Sequence, residues 1–369
     1  MRALAILSLI ILLAACAAPQ TRMPEVTSVA AKIEAKKQRE LAVEALIEME
    51  KRLYIVGYPL LTNGAPLCGD NVSPSTGMVV WNNYHFDGKW REPLKSKYGL
   101  ADLIQVAYVS PNSPAENAGI QAGDLPVSLN GWAVPVGENA IEKFSNKLDE
   151  LEKESTTMNF VMRRGTKNIP VSVVPTPACN IELVLSNKDE KNAYADGKRI
   201  VVYRGLMEFF KTDQEAALVI AHELAHNTMG HIDAKKTNAA IGGLIGLIVD
   251  VAAAAGGVNT QGQFADLGSS VGAGTYSVEF EKEADYVGLY FMALAGYEIK
   301  GAADFWRRMA IQNPKSIDLR STHPTTPERF IGIEKTIAEI QGKIERNMPL
   351  EPEFQKEDQE DHEEEEDAS

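Results

Sequence analysis

The sequence predicts an α+β chain in which a mainly helical part with a small edge sheet follows a smaller β-rich part. Three observations carry that expectation. From Glu215 to His226 the chain is built of helix formers, with His222 and His226 one turn apart within them. Between residues 103 and 174, short apolar runs alternate with Gly and Asn-Gly turns, which is strand patterning. Beyond residue 279, apolar runs of helical character return and continue to the segment Glu328–Arg346.

The first of these carries the chemistry. Ala221-His222-Glu223-Leu224-Ala225-His226 reads H-E-x-x-H. Each helical residue turns about 100°, so the two imidazoles share a face and can serve one metal ion. Glu223 beside them is placed to act as general base on water, as in zinc proteases. Asp213, after Thr212, is the expected cap of this helix. A third ligand is needed. An extended pattern would place a His six residues after His226, but position 232 is Ile. His231 lies about 140° around the helix from His226 and is expected to point away from the metal. A carboxylate from a second helix is the other solution. Glu281 and Asp285, in Glu279-Phe280-Glu281-Lys282-Glu283-Ala284-Asp285-Tyr286-Val287-Gly288, are four apart and share a face. One can ligate while the other accepts the N–H of a ligating His.

H-E-L-A-H, then E-K-E-A-D-Y-V-G, then His323-Pro324 followed by Glu328-Arg329, resembles the HtpX and CAAX-prenyl-protease family of zinc metallopeptidases over about residues 180–335. Its periplasmic, lipid-anchored members look most similar. The resemblance implies one Zn2+ per chain, with Glu281 as the third ligand beside His222 and His226. It implies catalytic roles for Glu223, for Asp285 next to the site, and for His323, as oxyanion donor or as a lid on the metal's fourth position.

Residues 1–16 read as a targeting segment. Arg2 precedes an apolar run, and Leu13-Ala14-Ala15-Cys16 looks like a bacterial lipobox with Cys16 as the lipidated residue. Since Ala17 follows, family-level sorting rules imply the outer membrane of a Gram-negative host, inner face, facing the periplasm. With Cys16 acylated, Cys68 and Cys179 remain as a disulfide candidate outside the cytosol. The net charge of −14 is concentrated at the end: residues 351–369 hold eleven acidic residues and one Lys. The body is near neutral, so no nucleic-acid footprint exists, and the tail is expected to be disordered.

In order, residues 17–95 are expected to comprise a tether, a helix over about 28–55 and an irregular segment containing a strand at Met78–Trp81. Residues 96–178 contain Ser113-Pro-Ala-Glu-Asn-Ala118-Gly119-Ile-Gln-Ala-Gly123-Asp124 and Asn130-Gly131. This resembles the signature of protease-associated PDZ domains, which bind an extended peptide as an added strand. Tyr98-Gly99-Leu100 is the expected carboxylate-binding loop. Residues 179–348 form the protease domain. In it Ala193–Tyr203 reads as a hairpin turning at Asp196-Gly197, and Ile200–Tyr203 or its partner strand is the expected substrate-holding edge. Residues 239–258 are apolar enough for a membrane span. Asp250 near the middle and several Gly favour instead a buried or membrane-touching helix. The run 268–274 reads as a mobile loop, 313–319 as a connecting loop, and 349–369 as the acidic tail.

The resemblance thus implies a gluzincin-type metalloprotease domain joined to a PDZ-like domain. The activity implied is endoproteolysis of misfolded or stalled cell-envelope proteins, whose chain ends the PDZ-like domain recruits at the membrane that the N-terminal lipid holds. A lipid-anchored PDZ adaptor or chaperone with a latent zinc site is the alternative.

Overall fold

The computed structural model describes residues 21–86, 88–152, 157–255, 260–267, 278–312, 323 and 326–354. Helix α1 (Ser28–Asn63) comes first, capped by the Thr27 hydroxyl accepting from the Ala30 N–H. It runs past the expected end near residue 55 and through Pro59. Proline removes one rung of the helical hydrogen bonding. Leu53, Val56, Leu60 and Leu61, all buried in the main core, hold the helix together on both sides of that gap.

Strands β1 (Val72–Ser75) and β2 (Met78–Trp81) follow. Helix α2 (Arg91–Tyr98) forms in the stretch the sequence marks as irregular. It ends on Gly99 in the left-handed region, φ 65°. Leu100 then packs beneath α1 with Val43 and Ile47. Leu100, the last residue of the Tyr98–Leu100 segment, is thus part of a core.

The β-rich part comprises β3 (Gln105–Val109), the short α3 (Pro114–Asn117), β4 (Leu125–Leu129), β5 (Trp132–Ala133), α4 (Ala140–Glu152), β6 (Met158–Arg164) and β7 (Lys167–Val173). Four strands run in the order β5-β4-β6-β7, antiparallel throughout, and β2 pairs with β3. Asn130 and Gly131, both at positive φ, make the two-residue turn between β4 and β5. Phe144 of α4 packs on Phe160 and Met162 of β6 in a core separate from the main one.

Strand β8 (Thr176–Cys179) returns to pair with β1, Val72 opposite Cys179. A Cys68–Cys179 disulfide sits beside that ladder, with Cα atoms 5.6 Å apart. Strands β9 (Glu182–Ser186), β10 (Ala193–Ala195) and β11 (Arg199–Tyr203) form a small sheet in the order β10-β11-β9. Because β11 is central, Ile200–Tyr203 is not the free edge, and its partner β10 is. Helices α5 (Arg204–Phe209), α6 (Asp213–Thr228), α7 (His231–Ala255), α8 (Val278–Leu294), α9 (Ala302–Gln312) and α10 (Pro327–Glu345) complete the chain.

Helix α6 is capped by Thr212 rather than Asp213: the Thr212 hydroxyl accepts from the Glu215 N–H. Ala216 to His226 are buried without interruption, so the helix has no solvent face over three turns. It packs against α8 at Gly288, where a Cβ would lie 3.1 Å from the His222 backbone nitrogen. That close approach brings the acidic start of α8 over the His pair of α6.

The first residues of the acidic segment are fastened to the body. Lys343 donates to the Glu351 carbonyl, and the Glu353 N–H donates to the Tyr286 hydroxyl. Cys16 and the leader, the 268–274 and 313–319 loops, and the tail from residue 355 lie outside the described residues.

Candidate metal centre

Four side chains converge where α6, α8 and the segment before α10 meet. One ligand atom each from His222, His226, Glu281 and His323 can be chosen so that all lie within 4.8 Å of one another. The Nε2 atoms of His222 and His226 are 3.1 Å apart. Each lies 3.5 Å from a Glu281 carboxylate oxygen. His323 Nδ1 is 3.0 Å from Glu281 Oε1 and 3.4 Å from His222 Nε2. His222, His226 and Glu281 are at most 1% exposed.

The outer nitrogens of the two α6 imidazoles are also held. His222 Nδ1 lies 3.0 Å from Asp285 Oδ1. His226 Nδ1 meets His231 Nδ1 at 2.8 Å, and His231 Nε2 meets Glu283 at 2.8 Å. His231 therefore stays outside the four-residue cluster, yet it sits directly behind a member of it. The ring of His231 stacks on Phe280, centroids 4.5 Å apart. Spacing on α6 alone could not place it, because the chain breaks at Gly230 (φ 70°) and His231 starts a new helix.

Arg329 of α10 locks the acidic side of the pocket. Its guanidinium grips Asp285 through Nε and Nη2, at 2.7 and 2.8 Å, and reaches Glu281 through Nη1 at 2.8 Å. It also covers the Trp306 ring from 5.1 Å. The sequence motif includes Arg329, but nothing in its spacing shows that it spans both carboxylates.

These contacts set the charge states. Burial alone would raise the Glu281 and Asp285 pKa values. His323 and Arg329 beside it hold Glu281 well below the usual carboxylate range, and Arg329 lowers Asp285. Burial presses His226 down to about 3, so it is neutral. Burial also opposes charge on His222, but Asp285 and Glu281 outweigh it and push the group up to about 9.

The donor set suits a divalent cation of intermediate softness: two imidazole nitrogens and a carboxylate from two helices. Glu223 adds a second indication. Its Oε1 lies 3.5 Å from His323 Nε2, whereas its buried Oε2 has no hydrogen-bond partner among the described residues. A carboxylate oxygen in that state is a ready proton acceptor at the mouth of the donor set. The small sheet is fixed to the same helix: Asn227 accepts from the Gly197 N–H at 2.7 Å and donates to the Arg199 carbonyl. One side chain, next to His226, thereby ties the β10–β11 turn to the site.

An H-E-x-x-H helix meeting a Glu-bearing helix in this way defines the metallopeptidase class. The chain belongs to peptidase family M48, which its sequence matches over residues 160–337. It is 30% identical over 184 residues to the metalloprotease LoiP of Escherichia coli, covering 49% of this chain and 68% of that protein. It is 32% identical over 169 residues to the mitochondrial metalloendopeptidase OMA1 of Schizosaccharomyces pombe, covering 44% of this chain and 49% of that one. The chain spans about half the length, or less, of the first curated relatives it matches. Among solved structures, the HtrA3 PDZ domain bound to a phage-derived ligand is similar to 29% of this chain, at 24% identity, 88% coverage of that domain and a TM-score of 0.22.

Proposed function

We propose that the chain is a zinc-dependent endopeptidase of the bacterial cell envelope that hydrolyses misfolded or stalled envelope proteins. The observation that carries this reading is the convergence of His222, His226 and Glu281 beside the buried carboxylate of Glu223. A zinc ion on that donor set supplies Lewis-acid polarisation of the scissile carbonyl and lowers the pKa of water toward ~7. Glu223 takes a proton from the attacking water and returns it to the leaving amine. Asp285 holds His222 Nδ1 and so fixes which nitrogen faces the site. Strand β10, the free edge beside α6, holds substrate backbone in an extended form.

The β-rich part serves as a PDZ-like module that takes chain ends as an added strand. Its support is the Ser113–Asp124 and Asn130-Gly131 pattern on an antiparallel sheet. The Leu13-Ala14-Ala15-Cys16 motif supports attachment through a lipid on Cys16, at the periplasmic face of the outer membrane.

Glu223→Gln tests the enzymatic reading. It should abolish casein cleavage while zinc content matches wild type, and Glu281→Ala should lose the zinc. Cleavage by the Gln variant would overturn it. One observation favours the adaptor with a latent site: His323 stands among the other three donors and supplies a fourth. If Glu223→Gln complements a deletion fully, the adaptor is the function.

A further inference from the structure

The metal chemistry does not account for the far half of α7. Among the described residues, His231–Ala253 is the one helix long and apolar enough to cross a membrane, and only 11% of that window is buried. Its foot is tied to the body through His231, which is buried behind His226 and reaches Glu283 of α8. From Ala239 onward the helix stands clear. Taken around its circumference, Leu247, Val251, Leu244, Ile248, Ile245 and Val249 are exposed over an arc of roughly 200°. The opposite side, marked by Gly246 and Asp250, is covered by the turn of helix at 263–267. Phe264 and Leu267 of that turn are exposed and apolar as well.

We propose that the far half of α7, together with the 263–267 turn folded on it, is an element that enters one leaflet of a phospholipid bilayer.

Three features select lipid over a protein partner. First, the apolar surface wraps the helix, whereas a partner helix or sheet needs a stripe of about 100° with a polar remainder. An apolar medium that surrounds the element fits the wider arc. Second, the acidic side chain on the apolar half of α7 is turned inward, and the exposed Asp266 of the 263–267 turn is left for the headgroup level. The Asp250 carboxylate accepts from the N–H groups of Phe264 and Ala265, at 3.3 and 2.8 Å. Those are donors a helix start leaves unpaired, and hydrocarbon tolerates neither an unpaired N–H nor a bare carboxylate. The sequence-level objection to Asp250 is thereby removed. Third, length sets the depth. Only Ala239–Ala255 is free to leave the body, about 25 Å at 1.5 Å per residue. That is short of the ~30 Å hydrocarbon core, and the chain is back beside Asp250 by residue 264. Entry into one leaflet fits this geometry and a complete crossing does not. Since α7 follows α6 after two residues, the element would set the metal centre close to the membrane surface.

Photolabelling tests this independently of the zinc reading. The full chain is bound to vesicles of phosphatidylethanolamine and phosphatidylglycerol that contain a diazirine acyl chain, irradiated, and digested for mass spectrometry. Adducts on residues 239–267 should exceed those on the exposed β6–β7 hairpin by about tenfold. Leu244→Asn with Ile248→Asn, at side chains 60% and 62% exposed, should abolish them while zinc content and the Cys68–Cys179 bridge are retained. Equal labelling of 239–267 and the hairpin would overturn the proposal. So would chain-to-chain cross-links through 239–251 in place of lipid adducts, which would assign the face to a second copy.

Discussion

Removing the charge of Arg329 while keeping most of its volume, as in Arg329→Met, probes the electrostatics of the centre most directly. Arg329 is 2% exposed and is shared by Asp285 and Glu281. Both carboxylates lie in a pocket where burial works to raise their pKa values and Arg329 works to lower them. Breaking a buried pair from one side costs about 3–5 kcal/mol, because the partner charge is left uncompensated. For a domain of this size that is a fall in melting temperature of about 6–20 °C. The pH dependence follows from the same contacts. In the wild type the two carboxyl groups have depressed folded-state pKa values. Their contribution is present above the ordinary carboxylate range and is lost as pH falls through the folded values. In the variant that contribution is missing from the start. The stability gap is therefore widest near pH 7 and closes only as pH falls through the ordinary carboxylate range and on toward the depressed folded-state values of Glu281 and Asp285. Urea unfolding of the metal-stripped protein at pH 7 and at about pH 3, below the ordinary carboxylate range, followed by two probes that must coincide, measures it. Arg329→Lys should fall between, since a lysine restores charge but not the two-pronged grip on Asp285. A loss under about 1 kcal/mol at pH 7, or an equal loss at both pH values, would refute the reasoning.

His231→Ala should weaken zinc binding by about 10–100-fold, with Glu283→Gln in the same direction, because His226 loses the support behind Nδ1; competition with a chromogenic chelator reads this out. Gly288→Ala forces α6 and α8 apart by a few tenths of an ångström and should cost about 1–3 kcal/mol together with zinc affinity, by the same titration and by urea unfolding. The Asn192 carbonyl accepts from Tyr203 and the Asp196 N–H donates to Arg199, so alternation turns the N–H of Ala195 outward from β10. Ala195→Pro should thus raise KM for an extended peptide with little change in stability, and an unchanged KM would remove β10 as the substrate edge. Replacing Cys68 and Cys179 together by Ser should cost about 4–5 kcal/mol on chain-entropy grounds, given their separation of 111 residues, and should lower the urea midpoint to the value of the reduced wild type.

How far the sequence reached depended on whether one element was enough to encode a feature. His222 and His226 were legible because helical periodicity alone sets them on one face. Glu281 and Asp285 were legible as a pair for the same reason, and the structure places both over α6. The turn at Asn130-Gly131 was legible because its backbone angles demand those residues, and the hairpin at Asp196-Gly197 because Gly197 takes φ 97° while the Asp196 carboxylate accepts from the Lys198 and Arg199 N–H groups. Features that depend on packing between elements were not. Local rules end α1 near Pro59, but Val56, Leu60 and Leu61 on either side of it are buried deeply enough to carry the helix to Asn63. The α2 helix and the burial of Leu100 follow from α1 lying over them, a contact that no spacing encodes. β11 became central because β9 adds to it in parallel from a separate stretch of chain.

The acidic residues show the limit most sharply. Glu281, Asp285, Glu283 and Asp250 all read from sequence as carboxylates on helices, and their partners differ in three dimensions: Glu281 meets the imidazole cluster and one arm of Arg329, Asp285 the fork of the same arginine and His222, Glu283 a histidine behind the site, and Asp250 the start of a helical turn. Glu281, Asp285 and Asp250 are buried, and Glu283 is not. A charge with no solvent must be met by a donor of its own, and each partner comes from a segment at least fourteen residues away. Helix spacing fixes the direction a carboxylate faces; the partner it meets there depends on the packing of the remaining chain.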